Sequence, residues 1–597
     1  MSMHKYPYGI IGNCAYLALI DNKASVDWLC FPRFDSSFLF GKLLDEEKGG
    51  AFAIVPEDKD YETTQQYLHN TNILETYFKT SHGEFKVIDF APRFLQYERY
   101  FKPLMFFRKI VPIKGSPVMK IVCNPVGDYG KLQPQKIFGS NHIRFTGLEQ
   151  EVRLTSNIPL SYIDNEQTFV LNETRYLALT WGVPLEANLE YTADDFLKKT
   201  THYWQNWVKN TTTEQFYQEQ VIRSALALKL HQYEDTGAII AASTTSLPES
   251  PLSGRNWDYR FCWMRDSHYT LKALNDLSHF SELEHYSEFI ENLALSFKER
   301  LNPLFPITNN SEPVEKILDL SGYKGNVPVR IGNQAYEHIQ NDVYGQVLVT
   351  LLPLFTDKRL VGHDVSDMGD LIMRLLKSIE KTMQEPDNGL WEFRGLRQLH
   401  CYTFLFHWAG SQAAVKIARR LGDSFMEQMA LKLVKESEKM IEACYDAKRG
   451  VYVQAVGNSN LDASLIQLIN MNYLDPNSEK ARKHLEVMEA ELKTKDGLFF
   501  RYKHADDFGE PETTFLICAF WYVEALARVG RLDEAIKTFE NITRYSNHLG
   551  LLSEDVESKT GSQWGNFPQT YSHVGLINAA FAISRKIDKP IFLTDLS

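Results

Sequence analysis

A chain of 597 residues is too long for one ordinary core, and length alone divides it into two to four domains. Its 44% hydrophobic and 23% charged residues are the make-up of a soluble globular protein. Sixty-four basic against 76 acidic side chains leave a net charge of −12, and without a basic patch to hold phosphates a nucleic-acid partner is excluded.

The first residues, MSMHKYPYGIIGNCAYLALI, lack the basic-then-apolar pattern of a secretion signal. No stretch approaches the ~20 apolar residues that span a membrane. The expectation is a chain that starts near Met1, has no membrane segment and stays in the cytoplasm. Seven cysteines (Cys14, Cys30, Cys123, Cys262, Cys401, Cys444 and Cys518) lie far apart, odd in number and without a Cys-x-x-Cys pair. They read as buried free thiols, neither a zinc site nor a disulfide framework.

The first ~200 residues read as β-structure, because short apolar runs alternate with turn residues. Ala15 to Ile20 and Ser25 to Cys30 flank Asp21-Asn22-Lys23. Ile73 to Phe78 and Phe85 to Phe90 flank Ser81-His82-Gly83. Met119 to Cys123, His142 to Phe145 and Tyr176 to Trp181 follow. Many short strands joined by turns predict an antiparallel β-sandwich over residues 1–193. Residues 194–210 read as a linker helix, and from 211 to 597 the pattern is helical throughout. Thr211 with Glu214 has the spacing of a capping box.

About twelve helices follow, alternating in character. Those near 214–232, 281–299, 366–383, 423–442, 477–492 and 531–546 are amphipathic; Leu532, Ala535, Ile536, Phe539 and Ile542 make one such stripe. Those near 267–278, 343–354, 399–420, 461–472, 513–528 and 571–584 are apolar nearly all round. A striped helix lies outside and an apolar one inside. Six of each predict two concentric layers, an all-α (α/α)6 barrel.

Six segments rich in polar and aromatic residues precede the inner helices: 256–266, 322–342, 389–398, 451–460, 498–511 and 551–570. With the inner helices parallel, these meet at one end of the barrel and form a pocket there. In NWDYRFCWMRD, Arg265 donates and Asp266 accepts hydrogen bonds, so the pair suits hydroxyl groups, or else forms a structural ion pair. In GLWEFRG, Glu392 sits between Trp391 and Phe393. Aromatic surroundings strip water from a carboxyl group and favour its protonated form, as a general acid needs, unless Arg394 pairs with it. In GLLSEDVESKT, Glu554 is a candidate base with Asp555 and Glu557 near it, or part of a solvated acidic surface. His573 in GNFPQTYSHVG reads as a packed helix residue. Two carboxyl groups across a pocket match glycoside hydrolysis, with inversion when they stand roughly 6.5–9.5 Å apart.

These motifs in this order, with FRYKHADDFGEPETTFLICAFW and an opening YPYGIIGNCAYLALIDNKASVDWLCFPRFDS, resemble glycoside hydrolase family 15, which holds glucoamylases, glucodextranases and some trehalases. The opening resembles the N-terminal domain of its bacterial, trehalase-like branch. The resemblance implies a β-sandwich followed by a six-fold double barrel, and hydrolysis with inversion that releases β-glucose from non-reducing ends. It implies Glu392 as general acid and Glu554 as general base acting on water. It places Arg265 and Asp266 on the hydroxyls of the terminal glucose, Tyr259, Trp263 and Trp391 as aromatic lining, and Arg501 as a further sugar contact. Fungal members carry a second acidic residue where Phe393 stands, and a starch-binding domain that is absent here.

The first expectation is therefore an exo-acting α-glucosidase of the glucoamylase type on α-linked gluco-oligosaccharides, and the alternative is a trehalase. A non-catalytic carbohydrate-binding protein is disfavoured because both carboxylates are present, and a phosphorylase because Glu554 stands where phosphate would sit. The chemistry needs no metal, and no Gly-rich phosphate loop calls for a nucleotide cofactor. Asp506 and Asp507 leave a structural cation open. So is the oligomeric state, with the sandwich on its own barrel or, in a homo-oligomer, on a neighbour's.

Overall fold

The computed structural model describes residues 3–296, 300–308, 312–360 and 368–587, the side chains of 294–296 excepted. The ends of the predicted helices at 297–299 and 366–367, and residues 588–597, lie outside the described residues.

The N-terminal part is two antiparallel sheets. The first runs in the order Tyr8–Gly12, Leu17–Asp21, Ser25–Cys30, Ala51–Pro56, Val118–Asn124 and Phe169–Val170, with Phe38–Phe40 beside Ser25–Cys30. The second runs Gln135–Phe138, His142–Thr146, Val152–Ser156, Arg175–Trp181, Met105–Gly115, Gly83–Phe90, Leu74–Lys79 and Glu62–Tyr67. Their inner faces share a core in which the rings of Phe52 and Phe106 lie 5.8 Å apart. Arg108, fully buried, bonds Asp89 within its own sheet at 2.8 Å and reaches the carbonyls of Phe52 and Ala24 in the other, at 3.0 and 2.5 Å. One guanidinium thus joins the two sheets.

Glu62–Tyr67 escaped the sequence reading. Its residues ETTQQY carry no apolar alternation, because it is the outermost strand and neither of its faces is well buried. The helix predicted from 194 begins at Leu189, where the Asn188 side chain accepts the amide of Tyr191, and ends at Lys209. The capping box at Thr211 does not form. Its hydroxyl bonds the carbonyl of Trp207 and the ring of His279, and the next helix starts at Gln218.

The inner helices are Met264–Asp276, Val343–Thr356, Cys401–Leu421, a short 463–470 piece, Leu516–Arg528 and Thr570–Ser584. Each contacts the next, and the last contacts the first, so the ring closes. Gln218–Leu230, Ser281–Ser296, Gly369–Thr382, Ser424–Glu442, Glu479–Leu492 and Leu532–Thr543 pack around it. Burial follows the predicted division except in Gln218–Leu230, expected to be amphipathic but buried at every position from Ser224 to Leu230, because the sandwich covers its outer side. Thr570–Ser584 is buried at every position but Ala582, whereas Leu532–Thr543 buries only Ala535, Thr538, Phe539 and Ile542. Where Val343–Thr356 crosses Cys401–Leu421 the backbones touch through Gly345 and Gly410. A Cβ on Gly345 would lie 2.0 Å from the carbonyl of Phe406.

The sandwich sits on the barrel of its own chain. Arg93 forks onto Glu234 at 2.8 and 2.5 Å, and the Trp28 indole donates to the carbonyl of Ser243 at 2.8 Å. Arg260, fully buried beside Asp258, reaches the carbonyl of Ser36 at 2.8 Å. All seven cysteines are buried and unpaired. Among the described residues no helix is long and apolar enough to cross a membrane.

Candidate active site

Parallel inner helices bring the segments before them to one end of the barrel. There, residues within 255–266, 333–338, 390–394, 501–508 and 569–571 line a pocket of about 850 Å³, counting its open mouth. The 451–460 segment contributes nothing to that lining. Tyr259, Trp263, Arg265, Asp266, Trp391, Glu392 and Arg501 all line it. Glu554 lies immediately behind the wall, 1% exposed, and reaches the pocket through Tyr259.

The acid loop is a tight turn. Asn388 clamps it by donating to the carbonyl of Phe393 at 2.6 Å and accepting the amide of Ile339 at 2.9 Å. Inside the turn Glu392 adopts a left-handed conformation with φ of 62°, a strain of about 1–3 kcal/mol that the surrounding bonds must hold. Its Oε1 receives the Trp263 indole at 2.7 Å and the Gln340 amide at 3.3 Å, and Arg265 stands 3.6 Å away. These contacts all gather on one oxygen of a side chain that lines the pocket. Arg394 does not pair with Glu392: it bonds Glu315 at 3.0 Å and stacks on Trp257. Phe393 is buried against Tyr502 and His504.

The base loop is held by the N-terminal segment. Tyr6 donates from its hydroxyl to the carbonyl of Gly565 at 2.9 Å and from its amide to Gln563 at 3.0 Å. Gly565 has φ of 75°, and a Cβ there would lie 2.6 Å from Glu554 Oε2, so only glycine fits. Glu554 Oε1 accepts the Tyr259 hydroxyl at 2.8 Å, and Oε2 accepts the Asn566 amide at 3.1 Å. Both bonds favour the charged form. Burial, and then the neighbouring carboxylate of Glu249, oppose them and push Glu554 up to about 8. The solvated acidic surface that the sequence left open is thus excluded. A general base must be charged: burial and Glu249 work against that charge, and the bonds from Tyr259 and Asn566 work for it. His573, fully buried between Ser224 and the amide of Leu552, is a packed helix residue.

Glu249 itself was not singled out in the sequence. It accepts the Trp257 indole at 3.0 Å and is bound by Arg501. SLPESPLSG reads locally as a turn, and the role of Glu249 rests on a partner 252 positions away. Gln340 and Tyr571 lie in stretches the sequence did single out, 322–342 and GNFPQTYSHVG, but nothing local marks either residue above its neighbours.

Five buried polar atoms of the lining have no hydrogen-bond partner in the protein: Arg265 Nε, Asp266 Oδ2, His338 Nδ1, Trp391 Nε1 and Tyr571 Oη. Arg265 and Asp266 do pair, but at 3.4 Å, and burial pushes Asp266 up to about 6. Orphaned donors and acceptors on aromatic walls suit a ligand that is polar on its edges and apolar on its faces, as a sugar ring is. The aspartates left open for a cation are engaged elsewhere. Asp506 takes both guanidinium nitrogens of Arg255 at 2.8 and 2.5 Å, and Asp507 takes backbone amides of the acid loop. Among the described residues no group of three or more His, Cys, Asp or Glu side chains could hold a metal ion.

Residues 215–581 match the family model of glycosyl hydrolases family 15, and residues 7–166 match a model for a trehalase-like N-terminal domain. A trehalase of Thermoplasma volcanium is 32% identical, covering 96% of this chain and 92% of that protein. A trehalase of Mycobacterium tuberculosis is 30% identical, covering 97% of this chain and 89% of that one. A bacterial glucoamylase solved with acarbose has the same fold, with a TM-score of 0.67 at 14% identity over 98% of this chain and 94% of the other.

Proposed function

We propose that in this chain, which belongs to glycosyl hydrolases family 15 and is an O-glycosyl hydrolase acting on a sugar with water, the pocket is the catalytic site and the sugar is α,α-trehalose, cleaved with inversion into two glucose molecules. The observation that carries this is the similarity to trehalases along nearly the whole chain, sandwich included. The glucoamylase likeness is one of fold. The order of the two sequence expectations is thereby reversed.

In this reading one glucose occupies the buried floor, with Arg265 and Asp266 taking its hydroxyls and His338, Trp391 and Tyr571 completing the orphaned set. Glu392 gives its proton to the bridging oxygen as the bond to the anomeric carbon breaks. A water attacks that carbon from the opposite side and loses its proton to Glu554. Tyr259, bonded to Glu554, steadies the charged form. One water is consumed, and the two carboxyl groups exchange protonation states, to be reset through solvent. Inversion at one carbon of an α,α linkage yields one β-glucose, while the departing glucose keeps its α configuration.

Two measurements test this. Glucose release from trehalose, maltose, isomaltose, maltotetraose and soluble starch should be fastest with trehalose; maltotetraose or starch as the best substrate would overturn the assignment. Proton NMR of the first products should show α- and β-glucose in equal amounts. An all-α signal would mean retention and remove Glu554 from its role.

A further inference from the structure

The pocket has a graded wall. Its floor, around Asp266, Phe515 and Tyr571, is buried, whereas Asp507 and Phe508 at its mouth are exposed. A sugar that seats its terminal ring on the floor therefore points the rest of itself toward these mouth residues.

The mouth segment is fastened at three points. Arg255 forks onto Asp506 and also donates to the carbonyl of Gly509 at 2.8 Å, and Tyr502 donates to Asp506 at 2.5 Å. The Asp507 carboxylate accepts the amides of Arg394 at 2.6 Å and Gly395 at 2.9 Å, two and three residues after Glu392. A Cβ on Gly395 would lie 2.6 Å from Asp507 Oδ1, so the latch needs glycine there. The Phe508 ring sits edge-on to Trp257, 5.1 Å between centroids, with the guanidinium groups of Arg255 and Arg394 at 5.5 and 5.4 Å. An exposed phenyl ring so held has no core to serve.

We propose that residues 503–509 are a cap, latched onto the acid loop by Asp507 and faced by Phe508, that closes the leaving-group side of the pocket and limits it to a disaccharide. This rests on the reading of the pocket as a trehalose site and adds what sets substrate length. Asp507 and Phe508 are specificity-determining residues in this scheme.

The test compares a one-ring with a four-ring inhibitor, 1-deoxynojirimycin and acarbose, by titration calorimetry on the full chain and on Asp507→Ala and Phe508→Ala. In each variant the ratio of the acarbose Kd to the deoxynojirimycin Kd should fall about tenfold or more, in the range that one steric contact can discriminate. Should Asp507→Ala fold poorly, Phe508→Ala removes only an exposed ring and carries the test alone. A ratio unchanged in folded variants overturns the cap. Binding, not turnover, is read, so failure of trehalose as substrate would appear in the panel above and leave this ratio untouched.

Discussion

The rings of Tyr259 and Trp263 lie edge to face, 5.4 Å apart, and each donates a hydrogen bond to a different carboxyl group: Tyr259 to Glu554 and Trp263 to Glu392. Two residues four apart in NWDYRFCWMRD thus tie together acids that are 162 positions apart in the chain. Tyr259→Phe removes a bond that favours charged Glu554. The acidic limb of kcat/KM should move to higher pH, with kcat falling about tenfold. A pH profile superimposable on the wild type would show that the hydroxyl does not act on Glu554.

Glu249→Gln should move the same limb the opposite way. It takes a negative charge from beside Glu554, so the carboxyl ionises at lower pH. The acidic limb of the wild type should itself lie above the ordinary glutamate value of 4.5, because burial raises it.

Glu392→Gln keeps an acceptor for the Trp263 indole but has no proton to give. Its kcat should fall roughly 10²–10⁴-fold with little change in KM. Turnover near the wild-type rate would refute the assignment of the acid.

Glu554 also makes a prediction about stability. Its carboxyl is raised from 4.5 to about 8 in the folded state, so between those values the native protein holds a proton that the unfolded chain has released. Stability from this group is full below pH 4.5 and declines as pH rises toward 8. Glu554→Gln should therefore be inactive but more stable than the wild type, by a margin that grows from pH 5 to 8 and reaches on the order of a few kcal/mol. Denaturant unfolding at pH 5 and pH 9 gives the comparison; an equal margin at both would contradict it.

In the sandwich, Arg108→Met strands the buried Asp89 carboxylate and should cost about 3–5 kcal/mol. Adding Asp89→Leu should recover most of the loss in Tm, since an apolar pair of similar volume needs no partner. No recovery would mean that the bonds to Phe52 and Ala24 across the sheets matter more than the ion pair.

The alternation of outer and inner helices was legible in the sequence because burial writes itself into local periodicity. Leu532, Ala535, Phe539 and Ile542 recur every three or four residues whatever they pack against. The site motifs were legible because aromatic and charged residues are crowded into NWDYRFCWMRD and GLWEFRG. The edge strand Glu62–Tyr67 was not, because a strand without a well-buried face leaves no period-two pattern. The raised proton affinity of Glu554 and the parts played by Glu249 and Asp507 were decided only by tertiary structure. Each depends on a charge or an amide brought close by closure of the barrel: Arg501 for Glu249, and Arg394 and Gly395 for Asp507. Periodicity is a property of neighbours along the chain. The proton affinity of a buried carboxyl group is a property of neighbours in space, which no local window of sequence contains.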